Sequence, residues 1–293
     1  MSYQIELRHI RYFLAVAKTL HFRKAAEKLF ISQPGLSRQI KEMEGQLGIT
    51  LFDRHNRQVF LTNAGLYLKQ ELSNNLKSLD AILNHAKLLQ AGKDGQLSFG
   101  YVGSAMQHII PELLLKFTQN HPSVLFSLKE MDNQKQIEGL LAQDIDIGFV
   151  RLERVPRGLE IYPLLKETFC LVLPKDHPID RSNFKNIGQL KAEPFILFDP
   201  EYSASYYEKV MEIFDESGFS PMVSHNTIHA DSIYKLVEHK FGVSIVPKSL
   251  QTVNNDAIKF IELDTISQRT VLSAVWDKNN INPMLAHFLD LIK

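Results

Sequence analysis

The chain has 293 residues, enough for two or more domains with cores of their own. A hydrophobic fraction of 44% is that of a folded globular protein and excludes disorder on a large scale, while a single cysteine, Cys170, excludes an internal disulfide or a cysteine-rich zinc site. The formal net charge is +0, yet residues 1–65 hold 10 Lys and Arg against 5 Asp and Glu and the remainder holds 23 against 28, so a basic module precedes an acidic body. Such asymmetry suits attraction to phosphate at one end of the chain. With no signal-like start and no long uncharged apolar run, the chain is expected to be soluble and cytoplasmic, with no membrane partner.

Leu7, Ile10, Leu14 and Ala17 predict a first helix from about Glu6 to Thr19. Phe22, Ala25, Ala26 and Leu29 give a second, shorter helix, and Phe30 and Ile31 fill a tight turn. Ser32 is a good N-cap and Pro34 fits the first turn of a third helix, where a missing N–H costs little. That helix would bury Leu36, Ile40, Met43 and Leu47 and end at Gly48. On its other side lie Gln33, Ser37, Arg38 and Lys41. Two short helices joined by a tight turn, the second with a polar front, make the helix-turn-helix pattern. An ordinary helical hairpin with a solvated charged face has the same spacing. The next residues shift the balance: Thr50, Leu51 and Phe52, a polar turn flanked by Arg54 and Arg57, and then Val59, Phe60 and Leu61 read as a hairpin wing.

Thr62 caps a long helix reaching about Leu89. Its Leu72, Leu76, Leu79, Leu83 and Ala86 follow the spacing of a coiled-coil seam, widened by Leu68, Ile82 and Leu89, so it reads as a dimerisation element. Gly92, Lys93, Asp94 and Gly95 form a hinge. Beyond it, strand-like and helix-like runs alternate, which argues for an α/β architecture with mostly parallel sheets. Cys170 falls in the apolar run Phe169 to Leu173 and is expected to be a buried, inert thiol.

The run AAEKLFISQPGLSRQIKEMEGQLGITLFDR, followed by LTNAG, resembles the winged helix-turn-helix of LysR-type transcriptional regulators. His21 departs from that pattern, standing where the family usually has a small polar cap. The resemblance implies a mainly α-helical winged helix-turn-helix at 1–61, a linker helix at 62–91, and a two-lobed α/β, periplasmic-binding-protein-like effector domain at 92–293. Lobe I would comprise 92–162 and 268–293 and lobe II 163–267, with crossings near Ile161–Pro163 and Leu263–Ser267. Gln33, Pro34, Ser37 and Arg38 would face base edges of double-stranded promoter DNA, Arg57 would enter the minor groove, and Arg23, Ser32 and Lys41 would hold phosphates. The partners implied are DNA, a small organic effector, a second copy through the linker helix, a tetramer, and RNA polymerase as a further candidate.

Ligands of open α/β sheets bind beyond the C-terminal ends of strands. Three such places lie in the first lobe: Gly103 with Ser104, Asp132 with Asn133, and Arg151, whose guanidinium can grip a carboxylate or else pair with Glu153. The second lobe offers Phe198, Tyr202, Ser203 and Tyr206, with Thr227–Asp231, including His229, as a further wall. The segments YVGSAM, EMDNQKQIEGL and DIDIGFVR look most like the branch of the family that senses aromatic acids and muconate-type compounds. There is no HExxH, GxSxG, P-loop or GxGxxG, and His225 and His229 lack a third ligand nearby in sequence, so neither an enzyme, a metal nor a cofactor is expected. Two other readings stay open: an α/β part that does chemistry on its ligand, and a regulator that needs no ligand.

Overall fold

The computed structural model describes residues 5–55, 58–90, 95–252 and 255–293. The chain divides into two compact units, Met1–Asn84 and His85–Lys293.

In the first unit α1 (Leu7–Thr19), α2 (Phe22–Lys28) and α3 (Gln33–Leu47) turn their apolar faces onto one core. Phe13, Val16, Ala25, Leu36 and Ile40 are fully buried in it. His21 does the work of the small cap it replaces, because its Nδ1 accepts the Lys24 N–H at 3.3 Å. Ser32 Oγ accepts the Gly35 N–H at 3.2 Å, and Gly48 closes α3 in the left-handed conformation. The wing is the antiparallel pair β1 (Phe52–His55) and β2 (Gln58–Leu61), with Phe52 opposite Leu61. Phe52 seats it on the core, its ring 5.5 Å from Phe13 and 5.8 Å from Phe22. Glu44 fastens it to α3, accepting the backbone N–H groups of Leu51 at 2.7 Å and Phe52 at 3.2 Å.

Thr62 caps α4 (Asn63–Gln90) by accepting the Gly65 N–H at 3.0 Å, while its hydroxyl donates to Thr50 O at 2.7 Å. Gly65 is required here: a Cβ would stand 2.3 Å from the Leu51 carbonyl oxygen. Of the 28 residues of α4, Gly65 alone is buried. Leu68 and Leu72 pack against the core of the three helices. Ile82, Leu83 and Leu89 are more than half exposed. The hinge residues Gly92, Lys93 and Asp94 lie outside the described residues, as does Arg57 in the wing turn.

The second unit has two lobes. One is built on a five-stranded sheet ordered β4 (Val124–Glu130), β3 (Gly95–Tyr101), β5 (Ile147–Val150), β12 (Thr270–Asp277) and β6 (Leu159–Glu167). It is flanked by α5 (Ile109–Asn120), α6 (Asn133–Leu141) and α9 (Pro283–Leu289), with Phe99, Phe117, Phe149 and Phe288 at its centre. The other holds a three-stranded sheet, β10 (Ser244–Pro247), β7 (Phe169–Pro174) and β11 (Ile258–Glu262), and the pair β8 (Pro194–Phe198) with β9 (Met222–Thr227). Its helices are α7 (Ala204–Glu216) and α8 (Ala230–Glu238). β7 is buried along its whole length, and Cys170 within it has its thiol pushed up to about 12 by burial. No helix among the described residues is long and apolar enough to cross a membrane.

Two features differ from the sequence expectation. The sheets are mixed, not mostly parallel: β3 runs parallel to β4 and β5, and β8 to β9, but β12 is antiparallel to β5 and β6, and β7 to β10 and β11. The outgoing strand β6 and the returning strand β12 pair with each other, which requires opposite directions. The segment Ile161–Pro163, expected at the first crossing, lies inside β6, which stays in the first sheet through Glu167. β6 and β9 escape a hydrophobicity scan because neither is a run of apolar residues: between its buried ends β6 mixes exposed and half-buried positions, and β9 does so throughout.

Candidate functional site

The first unit presents the front of α3. Ser32, Gln33, Pro34, Arg38 and Lys41 are exposed and Ser37 is half-buried, while Leu36, Ile40 and Met43 fix the opposite face in the core. Arg23, at the start of α2, is exposed and pairs with Glu27 at 3.1 Å. Phe30, in the turn between α2 and α3, holds a left-handed φ of 54° and leaves its ring 95% exposed. The sequence predicts Phe30 to fill this turn; it stands in the turn, but its ring faces outward.

In the second unit, a cavity of about 220 Å³ opens between the two lobes. Gly103 and Ser104, in a 3₁₀ turn after β3, line one wall with Arg151. Phe198, Tyr202, Ser203 and His229 line the other. Seven of the eight residues expected around the effector are therefore neighbours of one cavity. The exception is Asp132, which caps α6: its carboxylate accepts the Lys135 N–H at 2.7 Å and meets Lys135 Nζ at 2.8 Å. Burial raises the Asp132 carboxyl, the Lys135 hydrogen bonds and charge lower it further, and the net direction is down. Asn133 serves Arg151 instead, its Oδ1 accepting the Arg151 N–H at 3.0 Å.

Arg151 does not offer a free fork, nor does it pair with Glu153. Its side chain is buried and ion-paired to Glu167 at 2.7 Å. Nε donates to Ser104 Oγ at 2.9 Å, Nη1 to Thr270 Oγ1 at 3.0 Å, and Nη2 also to Ser249 Oγ at 3.1 Å. Four donors of the guanidinium are spent on the protein, out of five that the group carries. The network joins the ends of β5 and β6, the start of β12 and the second lobe at Ser249, so the pair sits where the lobes meet. Ser205, at the start of α7, donates to the Arg151 carbonyl.

A second set of contacts spans the cavity. The Tyr202 hydroxyl accepts the Gly103 N–H at 3.3 Å and donates to Glu130 Oε1 at 3.2 Å. His229 Nδ1 stands 3.5 Å from the same oxygen. Burial is the largest influence on the Tyr202 phenol and raises it; the Gly103 N–H opposes this and Glu130 adds to it. Sequence reasoning did not single out Glu130, Tyr101, Glu167 or Ser249. Glu130 ends a strand beside the segment that was singled out, so its place was readable; the partners of Arg151 were not, because they lie 16 to 119 residues away in the chain. His225 sits in β9 beside Phe241, apart from His229 on the cavity wall, and no group of three metal-binding side chains occurs among the described residues.

Residues 7–66 match the family described as bacterial regulatory helix-turn-helix protein, lysR family, and residues 90–293 match the LysR substrate binding domain. Among curated proteins the chain is 33% identical to the HTH-type transcriptional regulator CatR of Pseudomonas putida, covering 98% of each. It is 32% identical to AlsR of Bacillus subtilis, over 98% of this chain and 95% of that one. It is 31% identical to the Hca operon transcriptional activator HcaR of Escherichia coli, over 99% and 97%. Among solved structures, full-length CbnR complexed with the target DNA aligns at a TM-score of 0.67 and 27% identity, covering 98% of this chain and 99% of that one. Full-length BenM aligns at 0.60 and 27%, covering 98% and 95%.

Proposed function

The chain belongs to the LysR family of DNA-binding transcriptional regulators with an effector-binding domain, and from that premise we infer that α3 reads the major groove, that α4 pairs two copies, and that a small ring-bearing molecule in the cavity sets the activity. One observation carries the reading: α3 has its apolar side locked in a three-helix core and a capped, exposed polar front. A helix so fixed can hold Gln33, Pro34, Ser37 and Arg38 against base edges without further ordering. Ser32 and Lys41 then serve phosphates, which set affinity for every sequence alike. Arg23 joins them once it exchanges Glu27 for a phosphate oxygen, and Arg57 enters the minor groove.

Pairing through α4 is supported by the exposure of its apolar seam. A helix of 28 residues with one buried position needs a further surface to be stable. Two copies side by side present two α3 helices to one duplex, and two such pairs make the tetramer expected of this architecture. For the effector, the aromatic wall of Tyr101, Phe198, Tyr202 and Tyr206 supports a ring. The ligand acts by favouring one arrangement of the lobes, through the contacts that Tyr202 and His229 make to Glu130; it shifts the equilibrium only by its difference in affinity between arrangements.

Affinity selection from a pool of random duplexes tests the reading. It should enrich a two-fold symmetric site whose half-sites lie about one helical turn, ~10 base pairs, apart or a multiple of it. Enrichment of a lone unsymmetrical element, or of nothing at low salt, would contradict it.

A further inference from the structure

The charge on the cavity wall bears on what enters it. Arg151 is the lone Lys or Arg of that wall among the described residues. Its charge is neutralised by Glu167 at 2.7 Å, and its donors go to Glu167, Ser104, Thr270 and Ser249. The other ionisable groups on the wall are the carboxylates of Glu130 and Asp231 and the imidazole of His229, which stands against Glu130 at 3.5 Å. An anion placed there would shed its hydration beside two like charges and find no unpaired cation to receive it.

A second observation stands apart from the charges. Ser203 Oγ is buried, in a residue 6% exposed, and has no hydrogen-bond partner. Of the unpartnered buried polar atoms among the described residues, it alone belongs to the cavity wall. A buried hydroxyl left without a partner is costly, so a polar group of a ligand is what its position calls for. The aromatic rings around it add faces that attract a cation. The volume, about 220 Å³, exceeds the ~150 Å³ that holds a benzene molecule, so a single ring with a short polar arm fits.

We propose that the cleft takes a small organic cation, an amine carried on a ring, in preference to a carboxylate. The proposal rests on the cleft being the effector site. The ammonium donates to the Glu130 carboxylate, and Ser203 Oγ meets a second polar hydrogen of the ligand. Because Glu130 is also the oxygen partner of Tyr202 and His229 across the cavity, the same charge that selects the ligand couples it to the contact between lobes.

Calorimetry on the full chain with phenethylamine, 2-phenylethanol and phenylacetate, matched in size and differing in charge, tests this. Phenethylamine should bind saturably and phenylacetate about tenfold or more weakly by comparison, as a charge-assisted hydrogen bond is gained in one and a like charge is met in the other. Glu130→Gln should weaken the amine about tenfold and leave the alcohol within about twofold. Ser203→Ala, which removes one buried atom and breaks no hydrogen bond of the protein, should weaken the amine as well. Phenylacetate binding as tightly as the amine, or amine binding unmoved by Glu130→Gln, overturns the proposal while leaving the cleft as an effector site. Failure of all three probes to bind overturns both.

Discussion

Arg151 and Glu167 meet at 2.7 Å with both side chains buried, at the junction of the two lobes. A pair of this kind is worth little against an apolar replacement but costs much when one partner is lost, since the other stays buried and unpaired. Arg151→Met or Glu167→Leu alone should lower stability by about 3–5 kcal/mol in urea denaturation. The double replacement Arg151→Met with Glu167→Leu should cost far less than the two singles added together. Additive losses would mean that the pair does not act as a unit.

Glu44 ties the wing to α3 through two backbone N–H groups. Hydrogen bonds to a charged group contribute roughly 1.5–3 kcal/mol each, less where water reaches them. Glu44→Ala should therefore destabilise by about 2 kcal/mol and speed amide exchange at Leu51 and Phe52 before the rest of the unit. Unchanged exchange at those two amides would show the wing to be held without the Glu44 contacts.

Much of this was legible in the chain. The caps at Ser32, Gly48 and Thr62 and the buried set Leu36, Ile40 and Met43 follow from local rules, because each depends on residues within one or two turns. What local pattern cannot supply is pairing across the chain. Arg151 was recognisable as a strand-end arginine, but whether its fork faces a ligand or the protein depended on Glu167, Ser249 and Thr270, brought together only by the lobe crossings. Asp132 looked like a cavity residue for being next to a strand end, and its closer neighbour Lys135 claims it as a cap. His21, odd as a cap by composition, fills that role because an imidazole nitrogen accepts as a hydroxyl does.

Acid should act on the Asp132 cap. Its carboxyl sits below the ordinary value of 3.8, so its contribution is complete above that value and is lost as pH falls through the lower folded one. Asp132→Asn should flatten the acid side of the stability curve, measured by denaturation between neutral pH and the acid limb, and leave its slope at neutral pH alone. An acid limb as steep in the variant as in the parent would place the dependence elsewhere.

Pairing through α4 predicts that a charge in the exposed seam separates the copies. Leu83→Asp should break this pairing and lower the sedimenting mass of the assembly at micromolar concentration, with the three-helix core and the second unit still folded. Leu115→Asp, an exposed apolar position on α5, is the control for the linker dimer. A variant at Leu83 that sediments as the parent does would remove α4 from the interface.

The central claim is that the polar front of α3 reads DNA sequence, and Arg38 against Lys41 tests it most directly. With the selected duplex and a scrambled one, affinities are measured over a range of salt for the parent, Arg38→Ala and Lys41→Ala. A base-reading arginine contributes about 1–3 kcal/mol of discrimination, whereas a phosphate contact weakens every sequence and lowers the salt slope by about 1. The account predicts that Arg38→Ala collapses the ratio between the two duplexes and that Lys41→Ala weakens both while keeping it. A parental ratio in Arg38→Ala would contradict it.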